Sequence, residues 1–209
     1  MMTEKQEALA SSLLEIGAIR FGAFRLKLHD THPDAPLSPI YVDLRLLRSF
    51  PSAMRVALDV YSELIAHLQF DCYADVPTAA TPLVGALAFS NHVPMISPRL
   101  DKKIHGTGTA VDGCAEPGSV ALVIDDLITR ADSKLQAIEV LEDHDLKVKD
   151  VVVLVDREQG GMTELEHKGY AGHAALRLTE VLDYYHEKGA ISTENYQRTV
   201  QYLRESSLK

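Results

Sequence analysis

Apolar residues recur with a helical or an alternating period along the first part of the chain. Residues 3–16 carry apolar side chains at helical spacing behind Thr3, a residue type that caps helix starts, so they predict a first helix. Residues 19–28 and 38–43 alternate loosely on either side of a polar, proline-bearing stretch, which predicts a hairpin with a long tip. An amphipathic pattern over 51–69, opened by a proline, predicts a second helix.

From residue 71 onward, short apolar runs alternate with helical patterns. Strands are predicted near residues 71–75, 93–97, 120–124, 150–155 and 174–178. Helices are predicted over 81–91, 133–144, a short segment after Met162, 179–187 and 194–205. This alternation predicts an α/β fold with a central, mostly parallel sheet flanked by helices. The length of 209 residues suits a single domain, 1–209, with a small N-terminal hood built within about residues 1–50.

The most informative stretch surrounds the third of these strands. The run at 120–124 is too short and too rich in β-branched residues for a core helix, so it predicts a strand buried on both faces. Asp125 and Asp126 follow it directly. Hydroxyl and backbone N–H groups then gather over 129–133 at the start of a predicted helix, which favours an anion. At the carboxyl edge of a parallel sheet, this combination indicates a sugar phosphate whose hydroxyls face the two carboxylates.

A second informative stretch, 99–108, overlaps the start of the long irregular segment 100–117. Cations crowd its start, and two glycines follow them; the cations are Arg99, Lys102, Lys103 and His105. By itself such a stretch is a solvated surface loop. Beside a phosphate site, a mobile cationic lid becomes the better interpretation, because a departing pyrophosphate gains negative charge that cations stabilise.

The motif Asp-Arg-Glu-Gln-Gly-Gly at 156–161 follows another apolar strand. It is therefore expected at the same sheet edge as the carboxylate pair. Arg157 offers a planar fork that matches a carboxylate on a ligand. The alternative is that Arg157 pairs with Asp126 or Asp156 and only ties the loops together, and the residues alone leave both interpretations open.

Composition narrows the classes of partner. The formal net charge of −9 argues against a non-specific nucleic-acid protein, which needs a basic surface. No apolar run approaches the roughly 18 residues of a membrane span, and the first residues are polar and acidic rather than signal-like. Cys72 and Cys114 are too few for a disulfide framework, so the cytoplasm is the expected compartment. His29 and His32 lack the fixed spacing of a metal site.

Together these stretches resemble the orotate phosphoribosyltransferases, a subgroup of the type I phosphoribosyltransferases. The match is collinear over nearly the whole chain, with motifs at 21–27, 38–45, 76–83, 99–106, 120–133 and 156–161. The lid and the last motif separate this subgroup from purine and uracil relatives. The resemblance implies the type I phosphoribosyltransferase fold. It also implies transfer of the phosphoribosyl group from 5-phosphoribosyl-1-pyrophosphate (PRPP) to orotate, which gives orotidine 5′-monophosphate in pyrimidine biosynthesis.

The resemblance also assigns roles to residues. Lys103, Asp125 and Asp126 would be catalytic, with the two carboxylates on the ribose hydroxyls and Lys103 as the lid residue that matters most to rate. The substrate-binding set would be Lys27, Tyr41, Arg99, Lys102, His105, Thr129, Arg130, Ala131, Asp132, Ser133 and Arg157.

Within that set, the resemblance divides the substrates among three regions. Residues 129–133 would hold the 5′-phosphate, and Arg99, Lys103 and His105 the pyrophosphate. Lys27, Tyr41 and Arg157 would line the orotate side, with the Tyr41 ring stacked on the base. Mg²⁺ would be carried on PRPP near Asp125, without a direct protein site. The resemblance further implies a homodimer in which the lid of one subunit serves the neighbouring site.

Three departures from the family pattern keep other functions open. Leu100 stands where a lysine is usual, Asp132 places a carboxylate near the bound phosphate unless Arg130 neutralises it, and the tip at 28–37 is longer than usual. One alternative is therefore a phosphoribosyltransferase for another base. The other is a non-catalytic, PRPP-sensing regulator, against which the retained Lys103 and carboxylate pair argue.

Overall fold

The computed structural model describes residues 2–30, 32–100 and 110–207, apart from the side chains at 27, 28, 206 and 207. The strands are β1 (Ile19–Phe24), β2 (Ser38–Val42), β3 (Cys72–Asp75), β4 (Met95–Pro98), β5 (Val111–Asp112), β6 (Val120–Ile128), β7 (Lys147–Asp156) and β8 (Ala171–Arg177). The α-helices are α1 (Glu4–Glu15), α2 (Pro51–Ile65), α3 (Thr81–Asn91), α4 (Asp132–Glu142), α5 (Gly161–His167), α6 (Leu178–Glu187) and α7 (Thr193–Ser207). Short 3-10 helices cover Lys27–Asp30 and Leu44–Ser49.

The central sheet follows the order β5-β4-β3-β6-β7-β8 over the described residues. Neighbouring strands from β4 through β8 pair in parallel, and only the short β5 runs antiparallel to its neighbour β4. Strands β1 and β2 form a separate antiparallel hairpin near the N-terminus. The predicted α/β class with a mostly parallel sheet is therefore confirmed.

The sheet is covered by apolar layers on both faces. Successive residues of β6 point to opposite sides, so Leu122 and Ile124 join one apolar cluster while Ala121 and Val123 join the other. Helices α1, α2, α3 and α6 contribute to the first cluster, and α4 and α5 to the second. Burial of both faces explains why the strands read as nearly continuous apolar runs.

Local signals explain where several elements begin. Thr3 and Gln6 form a reciprocal capping box at the start of α1, with the Thr3 hydroxyl accepting the Gln6 N–H at 3.3 Å. Pro51 occupies the first turn of α2, where its missing N–H costs no helix hydrogen bond. Across the described residues, no helix combines the length and the apolar character needed to cross a membrane.

Several predicted boundaries are wrong. Strand β6 continues through Ile128, so Asp125 and Asp126 lie inside the strand and not beyond it. Helix α2 ends at Ile65 rather than near residue 69. The predicted irregular segment 100–117 contains the short strand β5, which pairs with β4.

The hairpin tip also differs from a simple extension of β1. The strand stops at Phe24, and a 3-10 helix follows. The buried His29 ring accepts the Leu26 N–H at 2.9 Å, and its other nitrogen lies 3.1 Å from the Ala35 carbonyl oxygen. His29 therefore stabilises the tip itself. Over the described part of the chain, no three His, Cys, Asp or Glu side chains lie close enough to hold a metal ion.

Candidate active site

The candidate site lies where the direction of strand order reverses. From β3 the chain crosses to β4 on one side, whereas from β6 it crosses to β7 on the other. The carboxyl ends of β3 and β6 therefore border a crevice, the usual ligand position in an open parallel sheet. A cavity of about 420 Å³ occupies this position. Its lining comprises Val76, Pro77, Ala79, Asp125, Asp126, Leu127, Thr129, Arg130, Asp132, Ser133 and Lys134.

Both carboxylate oxygens of Asp125 have partners within the protein. One carboxylate oxygen lies 2.6 Å from the Lys134 ammonium, and the other accepts the Asp126 N–H at 2.8 Å. Beneath it, the buried Tyr61 hydroxyl donates to the Asp125 carbonyl oxygen at 2.5 Å. Only 7% of the Asp125 side chain is exposed, so its carboxylate is fixed before any ligand arrives.

Lys134 is a buried partner that the sequence interpretation missed. Its ammonium also donates to the Leu127 carbonyl oxygen at 2.6 Å and lies 3.5 Å from the Ser133 hydroxyl. A usable signal was present, because Lys134 stands at helical spacing from the buried Ala137, Ile138 and Leu141 of α4. A lysine on the apolar face of a helix requires acceptors inside the protein.

Asp126 differs from its neighbour. Its side chain is half-buried and borders the cavity. Burial, reinforced by the adjacent Asp125 charge, raises the pKa of the Asp126 carboxyl to about 7. Near neutral pH this group is therefore able to accept or donate a hydrogen bond toward a ligand hydroxyl.

The loop between β6 and α4 presents a helix start that no side chain caps. Helix α4 begins at Asp132, after the buried Ala131. The Glu164 carboxylate of α5 accepts the Ala131 N–H at 2.8 Å and the Arg130 guanidinium at 3.0 Å. Among the described residues, Arg130 thus forms an ion pair with Glu164 and none with Asp132. Glu164 was not among the predicted site residues.

The two glycines of the motif at 156–161 allow this segment to pack tightly against β6. A Cβ atom on Gly161 would lie 2.5 Å from the Ile128 side chain, far closer than van der Waals contact allows. The Gly161 N–H donates to the Thr129 carbonyl oxygen at 3.1 Å, and the Arg157 N–H donates to the Ile128 carbonyl oxygen at 3.0 Å. These bonds bring Arg157 to the carboxyl edge that carries the cavity.

Arg157 itself is buried without being neutralised. Only 6% of the residue is exposed, and its Nε and Nη2 atoms have no hydrogen-bond partner among the described residues. Burial lowers the pKa of the guanidinium. The interpretation that Arg157 pairs with Asp126 or Asp156 is wrong, because neither carboxylate forms an ion pair with it in the described structure. Nearby, the buried Gln159 side-chain oxygen also lacks a partner in that part of the chain.

The floor of the crevice on the β3 side contains a further buried carboxylate. Asp75 ends β3, is completely buried, and accepts a hydrogen bond from the Thr81 hydroxyl at the start of α3. Its other oxygen has no partner within the described residues. Asp75 and Thr81 thus tie the two ends of the loop 76–80, which borders the cavity. Neither residue was predicted.

Other predicted site residues lie away from this cavity. Tyr41 packs in the hairpin, where its ring centroid lies 5.5 Å from the ring centroid of Phe24. The Arg20 guanidinium lies 5.2 Å from the Tyr41 ring centroid. Arg99 is paired with Asp112 of β5, with Nε 3.0 Å from the carboxylate. Neither residue lines the cavity. The Lys27 side chain and the lid residues Lys102, Lys103 and His105 lie outside the described structure.

No protein-family model matches the chain. Individual proteins do match it in sequence. The chain is 30% identical over 196 residues to an orotate phosphoribosyltransferase of Pyrobaculum islandicum, covering 93% of this chain and 97% of that protein. It is 33% identical over 202 residues to a uridine 5′-monophosphate synthase of Bos taurus, covering 96% of this chain but only 41% of the bovine protein.

A solved structure is similar to this chain as well. The Leishmania donovani UMP synthase matches with a TM-score of 0.84 and 32% identity, covering 96% of this chain and 42% of that one. The chain therefore spans about two fifths of the length of these longer relatives, 41% and 42%. The Pyrobaculum protein, in contrast, is matched over 97% of its length. The chain belongs to the orotate phosphoribosyltransferase family.

Proposed function

We propose that this protein transfers the 5-phosphoribosyl group from PRPP to orotate, with pyrophosphate as the other product. The observation that carries the proposal is the buried Arg157. Its unpartnered N–H groups lie at the sheet edge that also carries the cavity with the carboxylate pair. A buried guanidinium without a partner destabilises the protein. An anionic base such as orotate would pair with it, so it should bind more tightly than a neutral base.

The ribose and its phosphate fit the cavity at the switch point. Asp126 is a half-buried carboxylate that borders the cavity, so it is suited to a ribose hydroxyl. The uncapped start of α4 offers backbone N–H groups, and its dipole favours the 5′-phosphate. Thr129 and Ser133 line the same wall and supply hydroxyl groups.

The reaction needs stabilisation of charge rather than a strong base. As the bond from C1 to pyrophosphate lengthens, positive charge develops on the ribose and negative charge on the leaving group. Asp125 and Asp126 are proposed to stabilise the positive charge on the ribose. The lid cations Lys102, Lys103 and His105, together with Arg99, are proposed to stabilise pyrophosphate, and lid closure to exclude water. Orotate supplies its own nucleophilic ring nitrogen.

We include Mg²⁺ in this proposal as an ion that arrives with PRPP. Magnesium sites commonly use one or two carboxylates together with substrate phosphates, and Asp126 is a carboxylate of that kind. When bound, the ion would neutralise charge on the pyrophosphate oxygens.

A homodimer with a shared lid is part of the same proposal. Helix α3 contains no charged residue, yet Phe89 on it is 84% exposed. A helix that is apolar on all sides is normally covered, and a second copy of the chain is the partner that the family resemblance implies. Phe89→Glu should therefore give monomers by sedimentation and lower activity. Leu37→Glu, at another exposed apolar residue, is the control and should remain dimeric.

We also place the protein in the cytoplasm. Both cysteines are free, with Cys72 buried and Cys114 exposed, which suits a reducing compartment.

One assay tests the proposed reaction directly. Purified protein is mixed with PRPP, Mg²⁺ and orotate, and loss of the orotate ultraviolet band is followed. Orotate should be consumed only when PRPP is present, and uracil or a purine in its place should react far more slowly. Consumption of another base in preference to orotate, or PRPP binding without turnover of any base, would replace this proposal with one of the two alternatives.

A further inference from the structure

The two neighbouring carboxylates of the site have unequal environments. Both Asp125 oxygens are bonded inside the protein, whereas Asp126 borders the cavity and is only half-buried. One cause of this inequality is Lys134, which forms an ion pair with Asp125 and, among the described residues, none with Asp126.

Lys134 is buried, and a buried lysine destabilises a protein unless its ammonium is hydrogen-bonded. Its side chain is only 5% exposed, and an ammonium carries three N–H donors. Three acceptors surround it, namely the Asp125 carboxylate, the Leu127 carbonyl oxygen and the Ser133 hydroxyl. Two of these contacts are short, at 2.6 Å, so the Lys134 ammonium is engaged mainly by the protein, and we expect its effect on ligands to pass through the groups it holds.

Those groups belong to the two functional walls of the cavity. Asp125 and Leu127 lie in β6, beside the carboxylate wall, while Ser133 and Lys134 lie in the first turn of α4, whose N–H groups form the anion wall. Lys134 therefore ties the first turn of the helix to the end of the strand. Since a ribose 5-phosphate must reach both walls at once, their separation decides how well it binds.

We propose that Lys134 is a positioning residue for the phosphoribosyl half of the substrate, holding Asp125 and the start of α4 at the separation that a ribose 5-phosphate spans. This inference rests on the proposed function for the identity of the ligand. It concerns binding of the sugar phosphate and not the base.

The test compares three ligands on wild type, Lys134→Met and Lys149→Met by calorimetric titration. Ribose 5-phosphate and PRPP reach both walls, whereas inorganic phosphate reaches only the helix start. Lys134→Met should weaken ribose 5-phosphate and PRPP by about tenfold or more, the scale of one lost charge-assisted hydrogen bond, and phosphate by less than about threefold. Lys149 is exposed on β7, so Lys149→Met removes the same charge and should leave all three affinities unchanged.

Each other outcome overturns the proposal. Equal weakening of phosphate and ribose 5-phosphate would mean that Lys134 acts on the phosphate itself, and unchanged ribose 5-phosphate binding would mean that it has no positioning role. If Lys134→Met does not fold, Lys134→Gln, which keeps a neutral donor, is titrated with the same ligands and judged by the same criterion. Wild type that binds PRPP in a Lys134-dependent way without consuming orotate would refute the proposed reaction alone.

Discussion

Two segments at the same sheet edge differ in whether their buried polar groups have hydrogen-bond partners. In the segment from β6 into α4, Asp125 is bonded to Lys134, and Arg130 to Glu164. In the segment that follows β7, the buried Arg157 and Gln159 retain atoms without hydrogen-bond partners among the described residues.

The difference separates a preformed part of the site from a part that requires its ligand. Groups that are already bonded are fixed in position, so a ligand meets them without further ordering. Buried donors without partners destabilise the free protein, and that cost is recovered when a ligand supplies the acceptor. Under the proposed function, the ribose phosphate side is accordingly the rigid side, and the base side gains most from binding.

The largest expected effect comes from breaking the rigid side. Lys134→Met leaves the Asp125 carboxylate buried without its counter-ion, so the free energy of unfolding should fall by about 3–5 kcal/mol. Urea denaturation followed by circular dichroism measures this change. Adding Asp125→Asn should restore much of the lost stability, because the unpaired charge is then absent. A Lys134→Met protein as stable as wild type would contradict the view that this pair is an internal anchor.

The second prediction concerns the function of Arg157. If the Arg157 guanidinium binds the orotate carboxylate, Arg157→Lys should weaken orotate binding by about 1.5–3 kcal/mol, because an ammonium cannot replace the bidentate pair. PRPP affinity should change much less. Orotate KM values and PRPP titrations measure the two effects separately. Equal weakening of both substrates would assign Arg157 to the general architecture of the edge and not to the base.

The same residue predicts a smaller effect of opposite sign on stability. Arg157→Met removes the unpartnered N–H groups but keeps a long apolar side chain, so the ligand-free protein should gain roughly 1 kcal/mol of unfolding free energy. Orotate should no longer raise the melting temperature of this variant. A loss of stability comparable to that of Lys134→Met would erase the distinction between the two segments.

A further prediction concerns how stability depends on pH. The pKa of Asp126 is about 7 in the folded protein and about 4 in an unfolded chain. Between these values the folded state binds more protons, so this carboxyl lowers stability as pH rises and has no further effect above both. Asp126→Asn cannot ionise, so its stability relative to wild type should increase from pH 5 to pH 8. Denaturation without ligand at several pH values measures this difference, and a constant difference would contradict the raised pKa.

Sequence patterns predicted much of the fold because the helices and strands differ in apolar period. Helix α3 has its predicted bounds, Thr81–Asn91, since a proline opens it and the apolar run is uninterrupted. The extension of β6 was missed because carboxylates are poor strand formers. Parallel pairing overrides that preference and holds Asp125 beside Val153 of β7. Strand β5 exists only through its pairing with β4, which no local pattern encodes.

The site was predicted less completely than the fold. The carboxylates and the helix start were found because they follow one another in sequence. Glu164 was missed because it contacts Arg130 from 34 residues away. Lys134 is a different case, since its spacing from Ile138 and Leu141 already placed it on the buried face of α4. The roles assigned to the lid residues remain predictions, as those residues lie outside the described structure.

Titration of PRPP into wild type and Asp126→Asn tests the central claim most directly, namely that the carboxylates at the β3–β6 crevice bind the ribose of PRPP. Asp126→Asn is the informative change because it leaves the Asp125–Lys134 pair intact. We predict that the variant melts at least as high as wild type at pH 7.5 and binds PRPP about tenfold more weakly or worse. A folded Asp126→Asn protein that binds PRPP as tightly as wild type would contradict the account.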